Sequence, residues 1–166
     1  MILKSKKKIN VVLIEPEIPN NTGNIGRTCV ALDASLHLVK PMGFELSEKR
    51  VRRAGLDYWP HLDLHIHESQ SDFFECVDEK KDILSFFTTK VERTLYDCKF
   101  DDPTMGDVWL IFGKETKGLE PRVLEKYKEH LYTIPMIGKT RSLNLANSVS
   151  IGVYEAFRQL CFKTSA

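Results

Sequence analysis

Val108-Trp109-Leu110-Ile111-Phe112 is the most strongly apolar run of the chain, and Gly113-Lys114-Glu115-Thr116-Lys117-Gly118 follows it at once. Five apolar residues in a row, closed by a polar loop with glycine at each end, read as a strand buried on both faces. Ile9 to Ile14 and Ile83 to Phe87 have the same character, Ser35 to Val39 and Leu131 to Ile134 are further strands, and Leu62 to Ile66 alternates more weakly. Between them the period changes. Thr22 is placed to cap a helix with Ile25, Cys29 and Leu32 on one stripe. Ser47 can start a short basic helix holding Val51, Asp72 to Val77 looks helical, and Pro121 to Tyr127 has proline in its first turn. Leu145, Val149, Val153, Ala156 and Leu160 form a long amphipathic stripe. Strands alternating with helices predict an α/β protein with a mostly parallel sheet flanked by helices.

In such a sheet, ligands bind beyond the C-terminal ends of the strands. Three unusual loops stand there: Glu15 to Asn24, Gly113 to Gly118, and Pro135 to Asn144. The last is rich in hydrogen-bonding side chains and runs into a helix opening on Asn144, where free backbone N–H groups and the positive end of the helix dipole favour a polar ligand. Neither glycine loop is a P-loop. Leu119-Glu120 stands where Lys-Ser/Thr is needed after Gly118, and Thr133 occupies the upstream glycine position for Gly138-Lys139-Thr140. No G-x-G-x-x-G follows the first strand. Taken alone, Gly113 and Gly118 fit a plain strand-to-helix turn as well as a ligand loop. Arg27 points away from the apolar stripe of its helix, towards ligand or solvent.

The 166 residues predict one domain over residues 9–163, after a basic tail at 1–8. A net charge of +1 gives no global attraction to nucleic acid. Lys4, Lys6, Lys7 and Lys8, and again Lys49, Arg50, Arg52 and Arg53, are local basic clusters, the second a candidate for RNA backbone contacts. Cys29, Cys76, Cys98 and Cys161 match no zinc spacing. His65 and His67 lack a third ligand, so no metal is expected. No signal peptide opens the chain and no apolar run spans a membrane, which predicts a cytoplasmic protein. The lack of a G-x-S-x-G elbow argues against hydrolase chemistry.

Together the three loops resemble the motifs of the SPOUT class of RNA methyltransferases, in its SpoU branch. Asn21-x-Gly23-x-x-x-Arg27 resembles the first motif and Gly113-x-Glu115-x-x-Gly118 the second. Ser142-Leu143-Asn144-Leu145-Ala146, continuing to Tyr154-Glu155, resembles the third. Glu15 to Ile25, Pro41 to Phe44, Arg52 to Tyr58 and Thr88 to Lys90 are similar to the short tRNA wobble-nucleotide 2′-O-methyltransferases of that branch, which act on cytidine or uridine 34. The resemblance implies a single-domain SPOUT fold with a C-terminal trefoil knot, and S-adenosylmethionine as methyl donor with S-adenosylhomocysteine as product. It also implies a homodimer whose sites draw on both subunits, and the anticodon loop of a tRNA as substrate. Phe87, Thr88, Gly113, Ile134, Ser142 and Leu143 would hold the cofactor; Arg27, Glu115, Ser142 and Asn144 would serve catalysis; Asn21, Lys49, Arg50, Arg52 and Arg53 would meet RNA. A ribosomal RNA target, or a silent RNA-binding dimer, would share the fold.

Overall fold

The structure is a computed structural model and describes residues 5–47 and 57–162. Six parallel strands form one sheet: β1 (Ile9–Ile14), β2 (Ser35–Val39), β3 (Asp63–His67), β4 (Ile83–Phe87), β5 (Val108–Phe112) and β6 (Leu131–Tyr132), in the order β3-β2-β1-β5-β4-β6. The helices are α1 (Pro19–Ala31), α2 (Gln70–Glu75), α3 (Pro121–Lys126) and α4 (Leu145–Cys161).

The apolar strands are the central ones because both faces of the sheet are covered. Every residue of β1, β2 and β5 is buried. Side chains alternate across a strand. Val11, Leu13, Leu36, Leu38, Leu110 and Phe112 therefore share a core with Ile25 and Cys29 of α1 and Val149, Val153 and Ala156 of α4. Val12, Ile14, Val39 and Ile111 share the opposite core with Phe73 of α2 and Val123 of α3. The weak alternation at Leu62 to Ile66 has its reason here. β3 is an edge strand, one residue later than expected, and no residue of it is fully buried.

Several boundaries differ from expectation. α1 starts at Pro19, not Thr22, and Thr22 is buried inside it. The N-cap residue, Ile18, has no side chain that can cap that end; a carboxylate distant in sequence accepts from its N–H, as described below. α2 starts two residues early because the Ser69 hydroxyl accepts from Asp72 N at 3.1 Å. β6 ends at Tyr132. Beyond it Thr133 bonds to Arg93 and Leu95 at 2.8 Å each, so the segment 93–95 replaces β4 as its partner. The basic helix expected from Ser47 lies largely outside the described residues.

His65 and His67, on the edge strand, join a polar cluster beside the second core, centred on the buried His37. His37 is 6% exposed, stacks on His65 at 4.5 Å, and shares hydrogen bonds with His67 at 3.0 Å and Asn10 at 3.2 Å. Burial first, then the neighbouring His65 and His67, push the His37 imidazole down from 6.5 to about 3. The unfolded chain thus binds a proton below pH 6.5 that the folded chain refuses until about pH 3. Stability from this group is complete above that upper value and is lost as the pH falls towards the lower one. Urea titrations should show about 2 kcal/mol lost to this group between pH 7 and pH 5. A His37→Gln variant should have a visibly flatter acid limb, and an equal slope in both proteins would sink the assignment.

Candidate active site

The C-terminal ends of β4, β5 and β6 open onto a cavity of about 610 Å³. Phe87 and Thr88 reach it from the end of β4, Gly113 to Leu119 from the loop after β5, Thr133, Ile134 and Met136 from beyond β6, and Arg141 to Leu145 from the approach to α4. Every residue expected to hold the cofactor lines it: Phe87, Thr88, Gly113, Ile134, Ser142 and Leu143. So do Asn21, Glu115 and Asn144.

Three residues far apart in the chain form its polar wall. Glu115 accepts from Glu17 N at 2.8 Å and Ile18 N at 3.0 Å, and from the Asn21 amide at 3.2 Å. Its carboxylate thereby caps α1, whose first turn carries no acidic residue of its own. Asn21 Oδ1 accepts in turn from the Asn144 amide at 3.0 Å. Asn144 Oδ1 accepts from Ala146 N and Asn147 N, so this residue is the N-cap of α4. The chain Glu115–Asn21–Asn144 therefore ties the three sequence motifs together. Asn21 is 6% exposed with both ends of its amide engaged, which places it inside this link and not on the surface expected of an RNA contact. Glu115 is likewise committed to three donors, which argues for a structural role over that of a free proton acceptor.

Behind this wall is a pair that sequence reasoning missed. Lys114 Nζ donates to Glu15 Oε2 at 2.6 Å, and Gln70 joins Glu15 to Glu120. Burial alone would raise the Glu15 carboxyl. Hydrogen bonds from Lys114 and Gln70, with the charges of Lys114 and Arg122, outweigh it and hold the group below its ordinary value. An acidic residue directly after an apolar strand is the signal the sequence offers.

Glu115→Ala leaves the backbone N–H groups of Glu17 and Ile18, at the entry to α1, without an acceptor and releases Asn21. Caps contribute about 1 kcal/mol each, and charge-assisted bonds roughly double that. Chemical denaturation of that variant should show a loss of about 2 kcal/mol; a loss below ~0.5 kcal/mol would mean that water replaces the cap.

The cavity fits S-adenosylmethionine. Its volume lies in the range of small-molecule sites, ~300–1,000 Å³. The rings of Phe87 and Phe112 stack at 4.7 Å and give an apolar floor. Among the described residues, no backbone–backbone hydrogen bond involves residues 134–143. That loop faces the cavity with peptide groups available to read a purine edge.

Arg27 lies elsewhere. It is exposed on α1, about 9 Å along the helix from Asn21 and on another face, and it is not among the cavity's lining residues. Its guanidinium stacks on the Tyr58 ring, 4.7 Å from the centroid. Lys49, Arg50, Arg52 and Arg53 lie outside the described residues. Lys90, Lys117 and Arg141, which the sequence reading did not assign to RNA, line the cavity. Among the described residues no group of three or more His, Cys, Asp or Glu is arranged to hold a metal ion. No helix there is long and apolar enough to cross a membrane.

A model of the SpoU rRNA Methylase family matches residues 8–154. The chain belongs to this family. A relative from Burkholderia pseudomallei (strain 1106a), a tRNA (cytidine(34)-2′-O)-methyltransferase, is 40% identical, over 95% of this chain and 99% of its own. A solved structure concerned with the 2-OH methylation of C/U34 on tRNA is 44% identical. It superposes with a TM-score of 0.82, covering 93% of this chain and 97% of its own. The SpoU methyltransferase AviRb from Streptomyces viridochromogenes, in complex with AdoMet, superposes with a TM-score of 0.76 at 25% identity, over 94% of this chain and 61% of its own. The SpoU fold is thus shared over nearly the whole chain.

Proposed function

We propose that this protein is a tRNA (cytidine/uridine(34)-2′-O)-methyltransferase that uses S-adenosylmethionine. The observation that carries the reading is that one residue of each motif, Asn21, Glu115 and Asn144, meets the others in one hydrogen-bonded wall of the cavity at the ends of β4, β5 and β6. The relatives that act on nucleotide 34 match over almost their full length, which favours the wobble position of the anticodon loop as target. Unpaired loop nucleotides can be splayed into a site, unlike those of an A-form stem.

The bound cofactor supplies an activated methyl group on a sulfonium centre. The chain's own residues must align the ribose hydroxyl oxygen with that methyl group; as the methyl–sulfur bond breaks and the methyl–oxygen bond forms, the hydroxyl proton passes to water or to a phosphate oxygen. Alignment contributes about 7–11 kcal/mol in well-oriented reactions. Phe87, Thr88, Gly113, Ile134, Ser142 and Leu143 hold the donor, and Ser142 with Asn144 orients the ribose and the methionine part. Arg27 acts as a cation and not as a base, because a guanidinium spreads its charge over a rigid, planar fork of N–H donors. It binds the adjacent phosphate and stabilises the developing alkoxide oxygen through its N–H donors. Glu115 and Asn21 position α1 and Asn144.

The reading includes a homodimer. Arg27 lies away from its own chain's cavity, and a second copy can bring an Arg27 to it. It also includes a trefoil knot in the C-terminal half, as in the SPOUT class; a single SPOUT domain over residues 9–163 with a basic tail before it; RNA contacts by Lys49, Arg50, Arg52 and Arg53; and a cytoplasmic location, where tRNA is found.

The test is methyl transfer from labelled S-adenosylmethionine into total cellular RNA, with the product nucleoside mapped by nuclease digestion and mass spectrometry. Label on a tRNA wobble ribose is the expected result. Label on ribosomal RNA would overturn the target, and no label on any ribose would overturn the activity.

A further inference from the structure

Tyr58 and Trp59 grip the part of α1 that carries Arg27. The Tyr58 ring lies beneath the Arg27 guanidinium, 4.7 Å from its carbon. Tyr58 is itself only 9% exposed, and its hydroxyl donates to the carbonyl of Gly23, one turn before Arg27. Trp59 packs on the adjacent residue of the helix: a Cβ at Gly26 would stand 3.0 Å from the Trp59 ring. The ring that supports Arg27 is therefore anchored to the same helix turn, independently of the arginine.

An exposed arginine has several free torsions and occupies many orientations. A carboxylate partner would fix it but would occupy the N–H fork. The Tyr58 ring holds the guanidinium through its plane, its hydroxyl is a further partner of Arg27, and the remaining N–H donors of the fork are left for a phosphate or an oxyanion. We propose that Tyr58 is a positioning residue that holds Arg27 ready for the reaction. This role rests on the assignment of Arg27 made under Proposed function.

The experiment compares wild type, Arg27→Ala, Tyr58→Leu, Tyr58→Phe and the double variant Arg27→Ala/Tyr58→Leu in tRNA methylation, with kcat and KM for S-adenosylmethionine measured separately. Tyr58→Leu should lower kcat about 3- to 30-fold with KM unchanged. Tyr58→Phe, which keeps the ring, should restore most of that loss. The double variant should be no slower than Arg27→Ala, because residues acting through one another are not additive. Proton NMR adds a readout independent of turnover: the Arg27 δ-methylene signals should lose their ring-current shift in Tyr58→Leu and keep it in Tyr58→Phe. Multiplying losses in the double variant, equal losses in Tyr58→Leu and Tyr58→Phe, or unmoved Arg27 signals would each overturn the role. A wild-type protein that labels no tRNA ribose would instead overturn the reading of the reaction, and this role with it.

Discussion

Arg27→Ala should lower kcat for tRNA ribose methylation by about 10²–10³-fold, the usual effect of removing one preorganised donor to a developing oxyanion, or roughly 2.7–4 kcal/mol. Arg27→Lys should fall between that variant and wild type, because a lysine keeps the charge but lacks the planar fork that meets phosphate and alkoxide together. Neither change should alter the melting temperature much: Arg27 is exposed, and its contact with the Tyr58 ring is worth about 0.5–1 kcal/mol at such a site. Cofactor affinity should also be retained, since Arg27 is not among the residues proposed to hold the donor and lines no part of its own chain's cavity. Single-turnover rates, with cofactor binding measured by calorimetry, separate these terms. Near-wild-type turnover of Arg27→Lys would reduce the role to point-charge attraction, and near-wild-type turnover of Arg27→Ala would remove it.

Gly113→Ala should have the largest effect on the folded state. A Cβ at this position would stand 2.1 Å from the carbonyl carbon of Gly118 and 2.3 Å from Leu119 N. Both are backbone atoms of a loop that Gly118 N closes onto Lys114 O at 2.8 Å, so no side chain can swing aside. The strand end or the loop must move, and both line the cavity. A loss of more than ~4 kcal/mol is expected, the exceptional end of the range for point changes. Gly118→Ala makes a controlled comparison. Gly118 sits at φ +66 with nothing within 4 Å of its missing Cβ, so that variant meets only the left-handed penalty of about 1–2 kcal/mol. Urea midpoints of the two variants should differ clearly in this order. Similar values would show that the loop after β5 yields to the added methyl group.

The same loop shows where local sequence stops being informative. Its strand, β5, is legible because burial on both faces leaves a continuous apolar run, and β1 is legible for the same reason. β3 and β6 sit at the two edges of the sheet. Partial exposure weakens the pattern of β3, and a change of partner at Thr133 cuts β6 short. Motif residues such as Gly113, Glu115, Ser142 and Asn144 could be picked out as a set because polar residues and glycines crowd strand ends, where connections need few of them. What links them could not. The first turn of α1 has no capping side chain of its own, so the sequence pointed to Thr22 as the cap and missed four residues of helix.

The alternation of apolar strands and striped helices was thus enough to determine a parallel α/β sheet and the end of it that binds, because burial periodicity is a local property of the chain. Tertiary structure alone decided that Glu115 caps a helix nearly a hundred residues away, that Asn21 is buried between Glu115 and Asn144, that Lys114 pairs with Glu15, and that Arg27 rests on Tyr58 outside its own cavity. Each of these depends on a partner brought near only when the sheet assembles, and a side chain's spacing from its sequence neighbours carries no record of that partner.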